Sequence, residues 1–193
     1  MLELDHVLIA VGDLAAGAEE LLAVHGLASV EGGRHPGWGT ANRIVPLGDT
    51  YLELIAVVDA DEAAGSAFGR WVAAARGPFA WAVRTDDLDA FAERHGLDVG
   101  GGSRTRPDGS TLRWRLAGVE RAAADPLLPF VIEWAPGTEH PGRTAVDHPA
   151  CRVGLAGVRL QGEAARLEEW LGPHELPVTV APGAPAVRDF VLA

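Results

Sequence analysis

The 193-residue chain contains no lysine, a single cysteine, no run of basic residues and no apolar stretch of 18 or more residues. Without lysine there is no Schiff-base amine and no P-loop lysine for a nucleotide phosphate. Neither G-x-G-x-x-G nor G-x-S-x-G occurs, so no nucleotide cofactor and no serine-hydrolase elbow are expected. The lone Cys151 excludes a disulfide framework, a thiolate metal cluster and a Cys-x-x-Cys redox pair, which suits a reducing cytoplasm. The 16 basic residues, all arginine, are scattered through a chain of formal net charge -11, so nucleic acid is not an expected partner. The missing long apolar run removes a membrane-spanning helix from the expectations. The opening MLELDHV carries acids where a secretory leader has a basic segment, so secretion by that route is not expected.

What is present is a globular composition, 48% hydrophobic with 22% charged, in a length that suits one ordinary domain or two small modules sharing a core. The strongest pattern is internal repetition. DHVLIAVGDLAAGAEELLAVHGLASVEGGR (5–34) and FAWAVRTDDLDAFAERHGLDVGGGSR (79–104) both run through a strand, an Asp-Leu, a helix, a His-Gly-Leu and a glycine-rich turn. Asp13 and Asp87 stand where a helix N-cap is wanted, and Gly26 and Gly96 stand where a left-handed residue ends a helix. His25 and His95 close the two helices, where a cation suits the helix dipole, and are read as structural.

Extended segments follow each helix: ANRIVPL and YLELIAVV in the first copy, TLRWRLAGV and PFVIEWA in the second. Turns are expected at Gly48-Asp49 and Pro107-Asp108-Gly109, and a helical crossover at 59–77. Each unit therefore reads β-α-β-β-β. GLAGVRLQGEAARLEEWLG (154–172) opens like a third, shorter copy, closed by VTVAP and AVRDFVLA and suited to act as a cap. The Pro- and Gly-rich segment 135–150 is the linker candidate. The expected division is one domain over 1–193, with module one at 1–76, module two at 77–136, and a linker with a partial module at 137–193.

Paired β-α-β-β-β units, opened by DHVLIAVGDL and with YLEL ending the first, resemble the vicinal oxygen chelate superfamily of glyoxalase I, fosfomycin-resistance proteins, bleomycin-binding proteins and extradiol dioxygenases. HPGWGTANRIVPLGDTYLELIAV looks like its glyoxalase-like domain branch. The resemblance implies an α+β fold: paired modules forming a curved, barrel-like mixed sheet with a cleft, helices outside and a partial third module at the C-terminus. It also implies a cleft able to take a divalent metal.

Carried over by position, the resemblance makes His6 the first-strand ligand and Glu53 the last-strand carboxylate, with Glu133 of VIEW as its counterpart in module two. Ala80 and Gly157 stand where the later copies would repeat His6. His6, Glu53 and Glu133 could hold a hard or borderline ion such as zinc, manganese, iron, nickel or magnesium. His6 and Glu53 are also the expected catalytic pair. A lone histidine on an apolar strand is otherwise a hydrogen-bonded core residue, and a strand-end glutamate a structural one. Buried carboxylates need partners. Among the arginines, Arg43, Arg84, Arg113 and Arg115 rival a metal for that role, and Arg84 shares strand parity with Ala80, which predicts that it enters the cleft.

Residues 32–43, GGRHPGWGTANR, combine backbone freedom with His35, Trp38, Asn42 and Arg43, a mix suited to a ligand-contacting loop or to a plain turn with Trp38 covering the barrel end. Trp81, Trp114 and Trp134 suit core packing, and Trp114 is also carried as a ligand contact. His140, His148 and His174 receive no role. Three functions stay open: a metal-dependent isomerase, lyase or oxygenase, a metal-free acid–base enzyme, and a protein that only binds a small oxygen-rich or aromatic molecule. The expected partner is a small molecule, met by a monomer or a homodimer.

Overall fold

The computed structural model describes residues 1–106, 109–150 and 154–193. Pro107, Asp108 and Cys151 lie outside the described residues. The first copy forms β1 (Glu3–Ala10), α1 (Leu14–His25), β2 (Val30–His35), β3 (Thr40–Pro46) and β4 (Tyr51–Val57). A crossover of α2 (Ala60–Gly65) and α3 (Ala67–Ala74) leads to the second copy: β5 (Gly77–Arg84), α4 (Leu88–His95), β6 (Val99–Thr105), β7 (Thr111–Ala117), α5 (Val119–Ala124) and β8 (Phe130–Trp134). A 3₁₀ turn (Pro141–Arg143), β9 (Leu155–Gln161), α6 (Ala164–Leu171), β10 (Val178–Ala181) and β11 (Ala186–Leu192) complete the chain.

The caps follow from the residues at the helix ends. Asp13 accepts from the Ala16 amide at 2.8 Å and Asp87 from the Ala90 amide at 3.3 Å, satisfying donors that a helix start leaves free. Gly26 (φ 65°) and Gly96 (φ 60°) take the left-handed conformation that ends each helix.

Eight strands form one curved sheet in the order β2-β3-β4-β1-β5-β8-β7-β6. The two copies meet at its centre, where β1 runs antiparallel to β5, and in each copy the first and last strands are parallel. The sheet is nearly closed, because β2 and β6 at its two ends approach each other. A Cβ on Gly33 would lie 2.8 Å from the Thr105 carbonyl, so only glycine admits this approach, and its φ of 139° adds a second reason. The fold class implied by the resemblance is the one observed.

Strand alternation sorts the core. Val7, Ile9, Trp81 and Val83 face outward into a cluster shared with α4, α6 and the C-terminal strands, while Leu8, Ala10, Ala80 and Ala82 face inward. The third copy forms a separate sheet, β10-β9-β11, whose β11 packs beside β5 over the buried Trp81.

Two expectations are corrected. Residues 32–43 are not a loop: 32–35 belong to β2 and 40–43 to β3, which leaves a turn of only 36–39. Of the four glycines that suggested a loop, Gly32 and Gly33 are strand positions under close approach, and Gly37 and Gly39 belong to the turn. Between the extended segments TLRWRLAGV and PFVIEWA stands the short helix α5, an element that the β-α-β-β-β reading does not include.

Candidate functional site

Inside the curved sheet lies a cavity of about 50 Å³, whose polar lining comes from His6, His35, Asn42, Tyr51, Glu53 and Arg104. Trp38, Phe68, Trp114, Phe130 and Trp134 supply much of its apolar wall. Its polar groups form a continuous line. Arg104 donates to Asn42 Oδ1 at 2.7 Å, Asn42 Nδ2 donates to Glu53 Oε1 at 2.6 Å, and Glu53 Oε2 lies 3.5 Å from His6 Nε2. His35 Nε2 stands 3.9 Å from Glu53 Oε1, with its Nδ1 3.0 Å from the Thr40 hydroxyl.

Behind His6 is Asp5, fully buried, which no sequence argument singled out. Its carboxylate accepts from His6 Nδ1 at 2.5 Å, Trp134 Nε1 at 3.0 Å and His140 Nε2 at 3.1 Å. Strict alternation would send Asp5 and His6 to opposite faces. The β1–β5 register explains the exception: Leu4 pairs with Val83 and His6 with Ala82, so Asp5 is an extra residue in a β-bulge, a device that re-aims side chains. Burial opposes the charge on Asp5, but the hydrogen bonds from His140 and His6 outweigh it and hold the carboxyl well below its ordinary range. His140 Nδ1 accepts from the Gly142 amide, so its Nε2 carries the proton given to Asp5. With His6 Nδ1 committed to Asp5, Nε2 is the atom turned to Glu53 and the cavity, and Tyr51 fixes the ring by stacking at 4.4 Å.

The other candidates divide. His35, Trp38, Asn42 and Trp114 line the cavity beside His6 and Glu53. Arg43 does not: next to Asn42 on β3, it faces away and bonds the Ser29 hydroxyl and carbonyl at 2.9 and 3.1 Å. Arg84 also stays out of the lining, pairing with Glu3 and donating to the Leu4 and Asp49 carbonyls at the end of β5. Glu133 is on the outer face, where it accepts from Arg115 at 2.9 Å and from the Leu88 amide at the start of α4 at 3.3 Å. Strand register gives the reason. Leu8 pairs with Glu53 in module one, and the equivalent Ala82 pairs with Phe130 in module two, so the counterpart of Glu53 is Phe130 rather than Glu133.

The repeat positions that would complete a metal set are thus Ala80 and Phe130, and both are apolar. Asn42 Nδ2 already occupies Glu53 Oε1 as a hydrogen-bond donor. Among the described residues no group of three or more His, Cys, Asp or Glu side chains has the arrangement to hold a metal ion. The donor set does not fit the ion that the resemblance implied.

Arg104 and His140 were missed by the sequence reading. Arg104 sits on β6, far along the chain, and reaches Asn42 only because the sheet curls. His140 lies in the proposed linker, which is pinned rather than loose: His148 from the same segment accepts from the Ala28 amide and lies 2.7 Å from the Pro46 carbonyl.

Acid stability should report this burial. Burial pushes the His35 pKa below the ordinary 6.5, with Glu53 opposing and Arg104 reinforcing the shift. As pH falls below 6.5 the unfolded chain therefore binds protons that the folded one resists, and stability declines; Asp5 extends the decline below its ordinary 3.8. Urea unfolding between pH 8 and 3 should show a falling midpoint from about pH 6.5 downward, and His35→Gln should flatten its upper part. A midpoint flat to pH 5 in the parent would contradict the assignment.

Comparison with known proteins agrees with this architecture. The chain is similar over its whole length to the crystal structure of a hypothetical protein from Staphylococcus aureus, at 14% identity and TM-score 0.77, covering 91% of that chain. Methylmalonyl-CoA epimerase from Mycobacterium tuberculosis aligns with 69% of this chain and 87% of its own at 22% identity and TM-score 0.50. A variant of the Streptomyces coelicolor epimerase in complex with 2-nitronate-propionyl-CoA aligns with 70% and 97% at 23% identity and TM-score 0.51. Such identities carry the fold alone. No curated protein matches. The glyoxalase-like domain family matches residues 4–175, and with the paired modules, the parallel first and last strands and the inward cavity, the chain belongs to that family of the vicinal oxygen chelate superfamily.

Proposed function

We propose that this protein binds a small oxygen-bearing molecule in the cleft between its modules and moves a proton on it, with His6 and Glu53 as the acid–base pair. The observation that carries this reading is the buried line Asp5–His6–Glu53. A fixed carboxylate orients an imidazole whose second nitrogen meets a second carboxylate inside a small cavity. Such an arrangement can remove a proton from a carbon or hydroxyl beside a carbonyl and return it at a neighbouring atom, an isomerisation that needs no external oxidant. Asp5 keeps the imidazole in one tautomer and opposes loss of the Nδ1 proton. The aromatic wall excludes water, which strengthens each of these interactions.

A second reading is favoured by that wall itself. Trp38, Trp114 and Trp134 alone suit stoichiometric capture of a planar compound without turnover.

Deuterium incorporation separates the two. Incubated in D₂O with hydroxyacetone, dihydroxyacetone, pyruvate and phenylpyruvate, the parent should wash out the C–H protons of at least one compound, followed by NMR. His6→Gln should slow that exchange by roughly 10²–10⁴-fold while staying folded. Binding without exchange would establish the capture reading instead.

A further inference from the structure

The line of polar groups ends at an arginine whose surroundings do not account for its charge. Arg104 is only 5% exposed. Its guanidinium donates to Asn42 Oδ1, and its Nε is buried with no partner among the described residues. Among the described residues no carboxylate lies within ion-pair distance of it; Glu53 is held at one remove, through the Asn42 amide. Burial lowers the Arg104 pKa, a sign that the protein leaves the cation incompletely compensated. A buried guanidinium carries five donors in a rigid fork, and leaving most of them unmatched is unfavourable in a way that a well-placed oxyanion would relieve.

The chain goes to some length to hold it there. A Cβ on Gly32 would fall 2.0 Å from Asn42 Oδ1 and 2.6 Å from an Arg104 terminal nitrogen, and one on Gly33 would touch the Arg104 stem at 3.0 Å. Two strand glycines are thus the space through which Arg104 crosses from β6 into the cavity.

The cavity borders a larger space across a shared wall. Trp38, Phe68, Leu116 and Val119 line both it and an outer groove of about 610 Å³ between α3, α5 and the start of β6. The inner space admits a group of carboxylate size, and the groove, with Trp71, Leu97 and Val99 along it, admits an apolar remainder.

We propose that Arg104 is the receptor for a carboxylate on the ligand, so that the substrate class of this cleft is a small carboxylic acid with an apolar or aromatic body directed into the outer groove. The acid would lie along the Arg104–Asn42–Glu53–His6 line, its charge on the arginine and its exchangeable proton at His6. Glu53 repels a second negative charge at that end, which selects a single carboxylate over a dicarboxylate. This assignment rests on the cleft being a small-molecule site, but not on turnover.

The test uses matched pairs that differ in charge and hardly in shape: lactate, pyruvate, phenylacetate and mandelate, each against its primary amide, with chloride at equal ionic strength as the blank. Thermal unfolding is followed for the parent, Arg104→Gln and Arg104→Lys. At least one carboxylate should raise the parent midpoint by roughly 5–10 °C at a hundredfold excess over its Kd, with its amide giving at most a tenth of the affinity. Arg104→Gln should erase the difference between acid and amide; Arg104→Lys should keep it at reduced size, because the charge remains and the fork is lost. Should Arg104→Gln fail to fold, the acid–amide difference in the parent and in Arg104→Lys decides. Equal stabilisation by acid and amide overturns the carboxylate and leaves the small-molecule reading standing. No stabilisation by any acid beyond chloride overturns the proposal. Because deuterium exchange is not read here, an absence of turnover leaves a positive result intact.

Discussion

Asp5→Ala should lower the free energy of unfolding by about 3–5 kcal/mol, the range for removing one member of a fully desolvated, hydrogen-bonded charge cluster. The substitution strands three donors at once, on His6, Trp134 and His140, in a place that water does not reach. Each belongs to a different part of the chain: β1, β8 and the segment after it. The loss therefore loosens the joint between the modules and the 140s segment together. Asp5→Asn keeps the shape and one acceptor oxygen, so it should lose less stability, yet it should cost as much proton-exchange activity as His6→Gln because the His6 tautomer is no longer fixed. Urea unfolding and deuterium exchange on both variants decide the matter. A loss below about 1 kcal/mol for Asp5→Ala would mean that the cluster contributes no more than an ordinary hydrogen bond.

Gly32→Ala is the second large effect. Its Cβ would collide with Asn42 Oδ1 and Arg104, side-chain ends that can move, but only by breaking Arg104–Asn42 and Asn42–Glu53. Overpacking of this kind costs about 1–3 kcal/mol. The distinguishing result lies in binding: the preference for a carboxylate over its amide should vanish, as in Arg104→Gln, although the arginine is still present. Gly37→Ala is the control, since a Cβ there meets nothing within 4 Å, and its φ of 79° should cost stability without touching ligand preference. Unaltered acid preference in Gly32→Ala would show that Arg104 binds without the Asn42 contact.

Much of the architecture is local and was legible. The capped helices at Asp13–Gly26 and Asp87–Gly96 are set by side-chain-to-backbone bonds within a few residues, so the repeat could be aligned on them. The family resemblance brought His6 and Glu53 to one site, and the structure has them 3.5 Å apart. The site was misread where strand bounds and pairing partners had to be known. Asn42 and Arg43 are neighbours on one strand and must face opposite ways, so the pair could not both contact a ligand. Glu133 fits the family pattern by sequence, but the β5–β8 register gives its place to Phe130.

By itself, then, the sequence determined the repeated units, their helices and the inward strand faces, because caps and period-two alternation act over a few residues. The tertiary structure alone decided the rest. Asp5 joins His6 through a bulge that exists only when β1 pairs with β5, and His140 arrives from a segment with no period of its own. Arg104 enters the site only when β6 closes against β2, 71 residues and several strands away from Gly33. Register, bulges and sheet closure are set by the sum of long-range contacts, and no single stretch of chain encodes them.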